Sequence, residues 1–416
     1  MNTVYKRVAQ LTAVVVPFMF AAPSSLAAES ASPPTSSWPL IGLNPENHHF
    51  SLLKQINDGT VKDLGVAWYV DLPMRAGPPG VPLVVDGVIY QATQFSIVVA
   101  SDLRTGKLLW TFDPKVTFTG DFPWIPSLAA RFNRGVAIWE DKLYVATADG
   151  RLVAIDLKSG HKLWEADVCV GDNEFGITGA PRVGGGKVFI GPANMDNGTR
   201  RGFVDAYDAK TGKRLWRFYT IPGDPAKGFE NKAMEMASKT WGKDYWKHTG
   251  GGSVVEGITF DPVTNLVYFG TSSATPDAPI DRGEDRGDEL FAASIVAVNA
   301  DTGEYVWHYQ ETPNNAWNYD SFAPISIAEV KIGGKQKRVL FHAPKNGYFY
   351  MLEARTGKLL AGDQYGVRVS WSSHIDMKTG RPVELPDAKY WLKSGIAKTF
   401  PTRSARTTSF QWRIAR

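Results

Sequence analysis

Short alternating apolar runs recur along the chain, such as Leu143-Tyr-Val-Ala-Thr147 and Leu152-Val-Ala-Ile155, and glycine-bearing turns separate them. Alternation with a period of two predicts half-buried strands, and close spacing of such runs predicts hairpins. One stretch returns after these hairpins almost unchanged. It reads Asp102-Leu-Arg-Thr-Gly106-Lys-Leu-Leu-Trp110, Asp156-Leu-Lys-Ser-Gly160-His-Lys-Leu-Trp164, Asp208-Ala-Lys-Thr-Gly212-Lys-Arg-Leu-Trp216 and Asn299-Ala-Asp-Thr-Gly303-Glu-Tyr-Val-Trp307. A shorter copy, Glu353-Ala-Arg-Thr-Gly357-Lys-Leu-Leu360, lacks the tryptophan. The turn glycines lie 54, 52, 91 and 54 residues apart. Four-stranded repeats at about this period predict an all-β propeller, in which each blade buries its faces only against its neighbours.

The same pattern sets the expected limits of the blades. Leu64-Gly-Val-Ala-Trp68-Tyr-Val-Asp71 reads as the first strand, of the kind that in propellers often joins the final blade. Blades then end at Trp110, Trp164, Trp216 and Trp307, and a fifth begins at Arg338-Val-Leu-Phe341. No complete blade follows Asp376-Met-Lys-Thr-Gly380-Arg-Pro-Val-Glu384, so about five are present. The 91-residue interval predicts one long insertion. Within it, Lys232-Ala-Met-Glu-Met-Ala-Ser-Lys-Thr-Trp241 reads as a surface helix ahead of Gly250-Gly-Gly-Ser253.

Composition adds a compartment. Lys6 and Arg7, an apolar run from Leu11 to Ala22 and the small residues Ser25, Ala27 and Ala28 follow one another in the order of a secretory signal peptide, 1–28. The expected location is therefore the periplasm, with 29–400 an incomplete propeller domain and 401–416 a basic tail outside it. The single cysteine, Cys169, excludes an internal disulfide and a Cys-x-x-Cys-His haem attachment, and reads as a small buried residue. The formal charge of +4 includes six basic residues of the leader and tail, so the body carries about −2 and nucleic-acid binding has little support.

Further strings carry a resemblance. Asn133-Arg-Gly-Val-Ala137, Ile177-Thr-Gly-Ala-Pro181, Lys239-Thr-Trp241, Gly250-Gly-Gly252, Gly287-Asp-Glu-Leu-Phe291, Trp307-His-Tyr309 and Ala343-Pro-Lys-Asn-Gly-Tyr-Phe-Tyr350 resemble the quinoprotein alcohol dehydrogenases. These are periplasmic eight-bladed propellers that carry pyrroloquinoline quinone (PQQ) and usually calcium. The resemblance runs from about Trp38 to Phe400 and implies oxidation of an alcohol, with electrons passed to a cytochrome or a membrane quinone.

It also implies a site. Arg134, Thr178, Ser253 and Lys345 match cofactor-binding positions, and a tricarboxylate ortho-quinone needs fixed cations of this kind. Asp288 aligns with the general base and a metal ligand, and Asp196 and Ser273 align with the remaining metal ligands. Asp281, Glu284, Asp285 and Glu289 read as a solvated acidic loop near that base. With Leu290 two positions past Asp288, calcium is expected rather than a lanthanide. The sequence departs from the family at Leu128 and Ala129 (usually a cysteine pair), Val255 (usually tryptophan), Ser273 (usually asparagine) and Pro79 (commonly glutamate). With about five blades, the chain by itself is expected to bind quinone weakly or not at all. An inactive fragment and a non-catalytic propeller scaffold are the alternative readings.

Overall fold

A computed structural model describes residues 37–72, 80–117, 132–170, 175–194, 199–277, 279–283, 287–366 and 368–389. The leader, the tail, Pro79, Leu128, Ala129, Asp196, Glu284 and Asp285 lie outside the described residues.

Five four-stranded antiparallel sheets follow one another along the chain, each with its strands in sequence order. The first comprises Leu83–Val85, Val88–Ala92, Val98–Asp102 and Leu108–Phe112. The second comprises Ala137–Trp139, Lys142–Ala146, Arg151–Asp156 and Lys162–Asp167. The third is built from Arg182–Gly184, Lys187–Ile190, Phe203–Asp208 and Arg214–Tyr219, and the fourth from Thr259–Asp261, Leu266–Gly270, Ser294–Asn299 and Tyr305–Gln310. Ser326–Ile332, Lys335–His342, Tyr348–Glu353 and Leu359–Gln364 form the fifth, and a hairpin of Ser372–Asp376 and Arg381–Glu384 follows it. The fifth sheet thus starts twelve positions before Arg338, because Ser326–Ile332 alternates on a half-exposed face and carries a weaker apolar signal.

The recurring stretch is the turn between the third and fourth strands, and its chemistry is local. In the third sheet, Asp208 Oδ1 accepts from the backbone N–H groups of Lys210 and Thr211 and from the Thr211 hydroxyl. The Thr211 hydroxyl, ahead of the backbone donors, holds the Asp208 carboxyl below the usual range. Gly212 closes the turn at φ 73°, where a Cβ would be strained. The terminal tryptophan acts on the neighbouring sheet. Trp216 Nε1 donates to Ala300 O at 3.0 Å, and its ring lies where a Cβ on Gly303 would stand, 2.7 Å from Trp216 Cδ2. Trp110 faces Gly160, Trp164 faces Gly212 and Trp307 faces Gly357 in the same way.

The cores accordingly lie between consecutive sheets. Tyr144 and Ala154 of the second sheet cluster with Val188 and Tyr207 of the third, and Phe189 and Val204 of the third with Val267 and Val296 of the fourth. The long interval holds the expected helix, Lys232–Ser238, capped by Asn231 Oδ1 accepting from Met234 N–H. It is not a free excursion, because Ala233, Met234 and Ala237 are buried in the core shared by the third and fourth sheets.

Two further expectations are corrected. Leu64–Asp71 belongs to no sheet among the described residues, and the first strand is Leu83–Val85. Trp68 nevertheless takes the same seat as the other tryptophans, with Nε1 donating to Leu103 O at 3.0 Å and its ring against Gly106. The segment is thus docked on the first sheet through its tryptophan. Cys169 is part-exposed rather than buried, packed at the margin of the core between the second and third sheets.

His308 lies edge-on to Phe291 at 4.9 Å, and its Nδ1 is 2.8 Å from Tyr305 Oη. Burial lowers its pKa from 6.5 to about 4. A depressed folded-state pKa means that the stabilising contribution is complete above about pH 6.5 and is lost as pH falls toward 4. Chemical denaturation across this window is expected to show a decline that His308→Gln flattens, worth on the order of 2 kcal/mol after allowance for partial solvent access. Equal slopes in both proteins would assign the decline to other groups.

Candidate functional site

The loops at one edge of the sheets hold most of the residues singled out by sequence. Arg134 precedes the first strand of the second sheet, Thr178 that of the third, Ser253 that of the fourth and Asp320 that of the fifth. Ser273 follows the second strand of the fourth sheet and Lys345 the second strand of the fifth. Antiparallel pairing returns these second strands to the same edge. Glycines let the loops meet backbone to backbone: a Cβ on Gly179 would stand 1.9 Å from Val255 O, and one on Gly270 1.5 Å from Ser321 O. Val255 therefore contributes its carbonyl to this contact, which any side chain permits.

Two linked groups result. Arg134 donates from Nη1 to Thr178 Oγ1 and from its backbone N–H to Thr178 O, and its Nε is 3.6 Å from Glu256 Oε2. Ser253 N–H donates to Ser272 Oγ at 2.8 Å, beside Ser273. Asp320, 6% exposed, centres the second group. Its Oδ1 accepts from Ser273 N–H at 2.9 Å and from Ser273 Oγ at 3.1 Å, while Oδ2 is paired with Lys345 Nζ. Lys345 also donates to Asn318 Oδ1 at 3.0 Å and lies 5.0 Å over the Phe322 ring. Asn318 Nδ2 donates in turn to the Asp277 carboxylate at 3.1 Å, and Asn315 Nδ2 to Ser273 Oγ at 2.7 Å.

Asp288 does not join this cluster. Arg381 binds its carboxylate with two contacts of 2.7 and 2.8 Å, on a surface where the Asp288 side chain is 37% exposed. The position expected for Asp288, beside Ser273 and Lys345, is taken by Asp320. The matching Gly287-Asp-Glu-Leu string places Asp288 on a loop that turns toward the last hairpin, and a contact to Arg381 lies 93 residues away in sequence. Glu289 is likewise not solvated: it is 1% exposed and paired with the buried Arg282. Asp281 is exposed, as expected.

Sequence reasoning missed Asp320, Asn318 and Asn315. The available signal was the run Asn314-Asn315-Ala-Trp-Asn318-Tyr-Asp320, in which three amides and an acid crowd a loop between two strand patterns.

The residues present fit a polycarboxylate quinone: Arg134 and Lys345 are part-buried cations, and Thr178 supplies a hydroxyl beside one of them. Asp320, Asn318 Oδ1 and Ser273 Oγ are oxygen donors of the type a hard divalent cation takes. Among the described residues, no three His, Cys, Asp or Glu side chains gather closely enough to hold a metal by themselves.

Known proteins share this architecture. The family described as Glucose/ethanol/alcohol dehydrogenase, beta-propeller domain, matches residues 38–362. Lupanine 17-hydroxylase [cytochrome c] of Pseudomonas sp is 47% identical over 87% of this chain and 52% of its own length. The quinohemoprotein alcohol dehydrogenase of Comamonas testosteroni is 43% identical over 85% of this chain and 50% of its own. The solved structure of quinohemoprotein alcohol dehydrogenase ADHIIG from Pseudomonas putida HK5 superposes with a TM-score of 0.81 at 44% identity, covering 88% of this chain and 54% of that one. The chain spans about half the length of the curated relatives it matches. The repeated sheets, the loops at their common edge and these likenesses together show that the chain belongs to the PQQ-dependent quinoprotein alcohol dehydrogenase family.

Proposed function

We propose that this chain forms the quinone-binding part of a periplasmic alcohol dehydrogenase that uses PQQ and calcium and passes electrons to a cytochrome. The observation that carries the reading is the Ser273–Asp320–Lys345 cluster at the common edge of the sheets. Arg134 and Lys345 would hold the carboxylates and the polar edge of the quinone, with Thr178 as hydrogen-bond partner. Bound PQQ supplies the two-electron acceptor that removes hydride from the alcohol carbon. Asp320 is the group placed to take the hydroxyl proton, since Ser273 and Lys345 fix the direction of its carboxylate. Calcium would share Asp320 with Lys345 and draw its other protein ligands from the neutral oxygens of Asn318 and Ser273. Export rests on the order of charged, apolar and small residues in 1–28.

The test uses protein recovered from the periplasm, with its mass checked for loss of the leader. Because the chain by itself is expected to bind quinone weakly at best, titration with PQQ and calcium, followed by quinone absorbance, is made on a chain extended by the remaining half of a relative and is expected to saturate. Chelation of calcium should weaken it, and Lys345→Ala should abolish it. A titration without saturation, or one indifferent to Lys345→Ala, would overturn the quinone site.

A further inference from the structure

Arg282 is a fully buried guanidinium, and the reaction proposed above makes no use of it. Its side chain is 0% exposed and that of its partner Glu289 is 2% exposed. All five N–H donors are engaged: Nε and Nη2 on the two Glu289 oxygens at 2.9 and 3.0 Å, Nη1 on Pro276 O at 2.6 Å and Asp277 O at 2.9 Å, and Nη2 on Asn315 O at 2.8 Å. A buried ion pair of this kind contributes little net stability compared with a well-packed apolar pair, because both ions lose their hydration. What it does supply is geometry, since one planar fork ties three loops together.

Two of those loops lead directly to Asp320. Asn315, held at its carbonyl by Arg282, donates Nδ2 to Ser273 Oγ and to Tyr319 O, and its Oδ1 accepts from the backbone N–H groups of Trp317 and Tyr319. Asp277, held at its carbonyl by the same guanidinium, accepts from Asn318 Nδ2, and Asn318 Oδ1 accepts from Lys345. Both routes converge on the carboxylate that Ser273 and Lys345 share. We propose that Arg282, locked by Glu289, is a positioning residue that sets the placement of Asp320 against Ser273 and Lys345. The proposal rests on the reading of that cluster as the quinone site, and it assigns Arg282 no contact with quinone or alcohol.

Two variants test it. Arg282→Lys keeps the charge but offers a point donor in place of a fork. The double variant Arg282→Met with Glu289→Met removes both ions and so avoids leaving one of them unpaired. In protein without quinone, the rate at which an amine-acylating reagent modifies Lys345 is read by mass spectrometry. Lys337, ion-paired with Glu353 on the fifth sheet, serves as the internal reference. Lys345 is expected to react about tenfold faster in both variants with Lys337 unchanged, and quinone affinity to weaken about 10–100-fold, the usual scale for outer-shell partners. An unchanged Lys345 rate in either cooperatively melting variant would overturn the positioning role. If the parent protein takes up no quinone, the quinone-site reading fails by itself, and the Lys345 rate still decides whether Arg282 places the cluster.

Discussion

Asp320→Asn is expected to lower alcohol turnover by about 10²–10⁴-fold, the range a positioned general base contributes. Asp288→Asn is expected to change it by less than about fivefold, since an exposed ion pair is worth at most about 1 kcal/mol. Because the chain spans about half the length of its relatives, turnover is measured in a chain extended by the remaining half of such a relative. The contrast follows from surroundings. Asp320 is 6% exposed and receives Ser273 on one oxygen and Lys345 on the other, whereas Asp288 faces solvent and Arg381. Asparagine at position 320 keeps the volume and still accepts from Ser273, but it cannot take a proton, so quinone affinity should fall much less than turnover. Turnover that survives Asp320→Asn and collapses with Asp288→Asn would return the role of base to the residue that sequence comparison favours.

The second large effect is on stability. Trp216→Ala should destabilise the protein by about 3–5 kcal/mol in urea denaturation, the scale for removing a large buried aromatic side chain. Trp216 is 8% exposed, packs 6.0 Å from Phe189 and donates to Ala300 O of the next sheet. The substitution would remove ring contacts from two sheets at once and leave Ala300 O without this donor. Gly303→Ala acts on the same joint from the other side, since its Cβ would stand 2.7 Å from Trp216 Cδ2 at φ 71°. A loss below 1 kcal/mol for Trp216→Ala would show that the indole is not what joins the third and fourth sheets.

What was legible in the sequence is what neighbours along the chain determine. The Asp-x-x-Thr-Gly turn is closed by hydrogen bonds spanning three residues, so each copy announces itself, as at Asp102 with Thr105 and Asp156 with Ser159. The helix at Lys232–Ser238 carries its own cap in Asn231. The site depends instead on contacts that form only when sheets stack: Ser273 and Asp320 are 47 residues apart, and Lys345 and Asp320 are 25. Arg134, Thr178 and Ser273 could be singled out because short strings surround them, and the structure places them on the loops at the common edge. Asp320 could not, because which carboxylate meets Ser273 and Lys345 is decided by which loop reaches them. Leu64–Asp71 pairs with no strand among the described residues for a related reason. Alternation shows that a segment has two faces, but pairing needs a partner strand, and none is present among the described residues.

The seating of each tryptophan on the turn of the next sheet gives the array a direction. Trp68 reaches the first sheet, Trp164 the third, Trp216 the fourth and Trp307 the fifth, always from the earlier member to the later one. A break between any two sheets would therefore leave a protruding indole on the N-terminal piece and an empty glycine-floored notch on the C-terminal piece. Such broken ends are mutually complementary, like plug and socket, and every joint uses nearly the same plug. Sheets from related proteins can on this basis be spliced at a joint with both mating surfaces already in place.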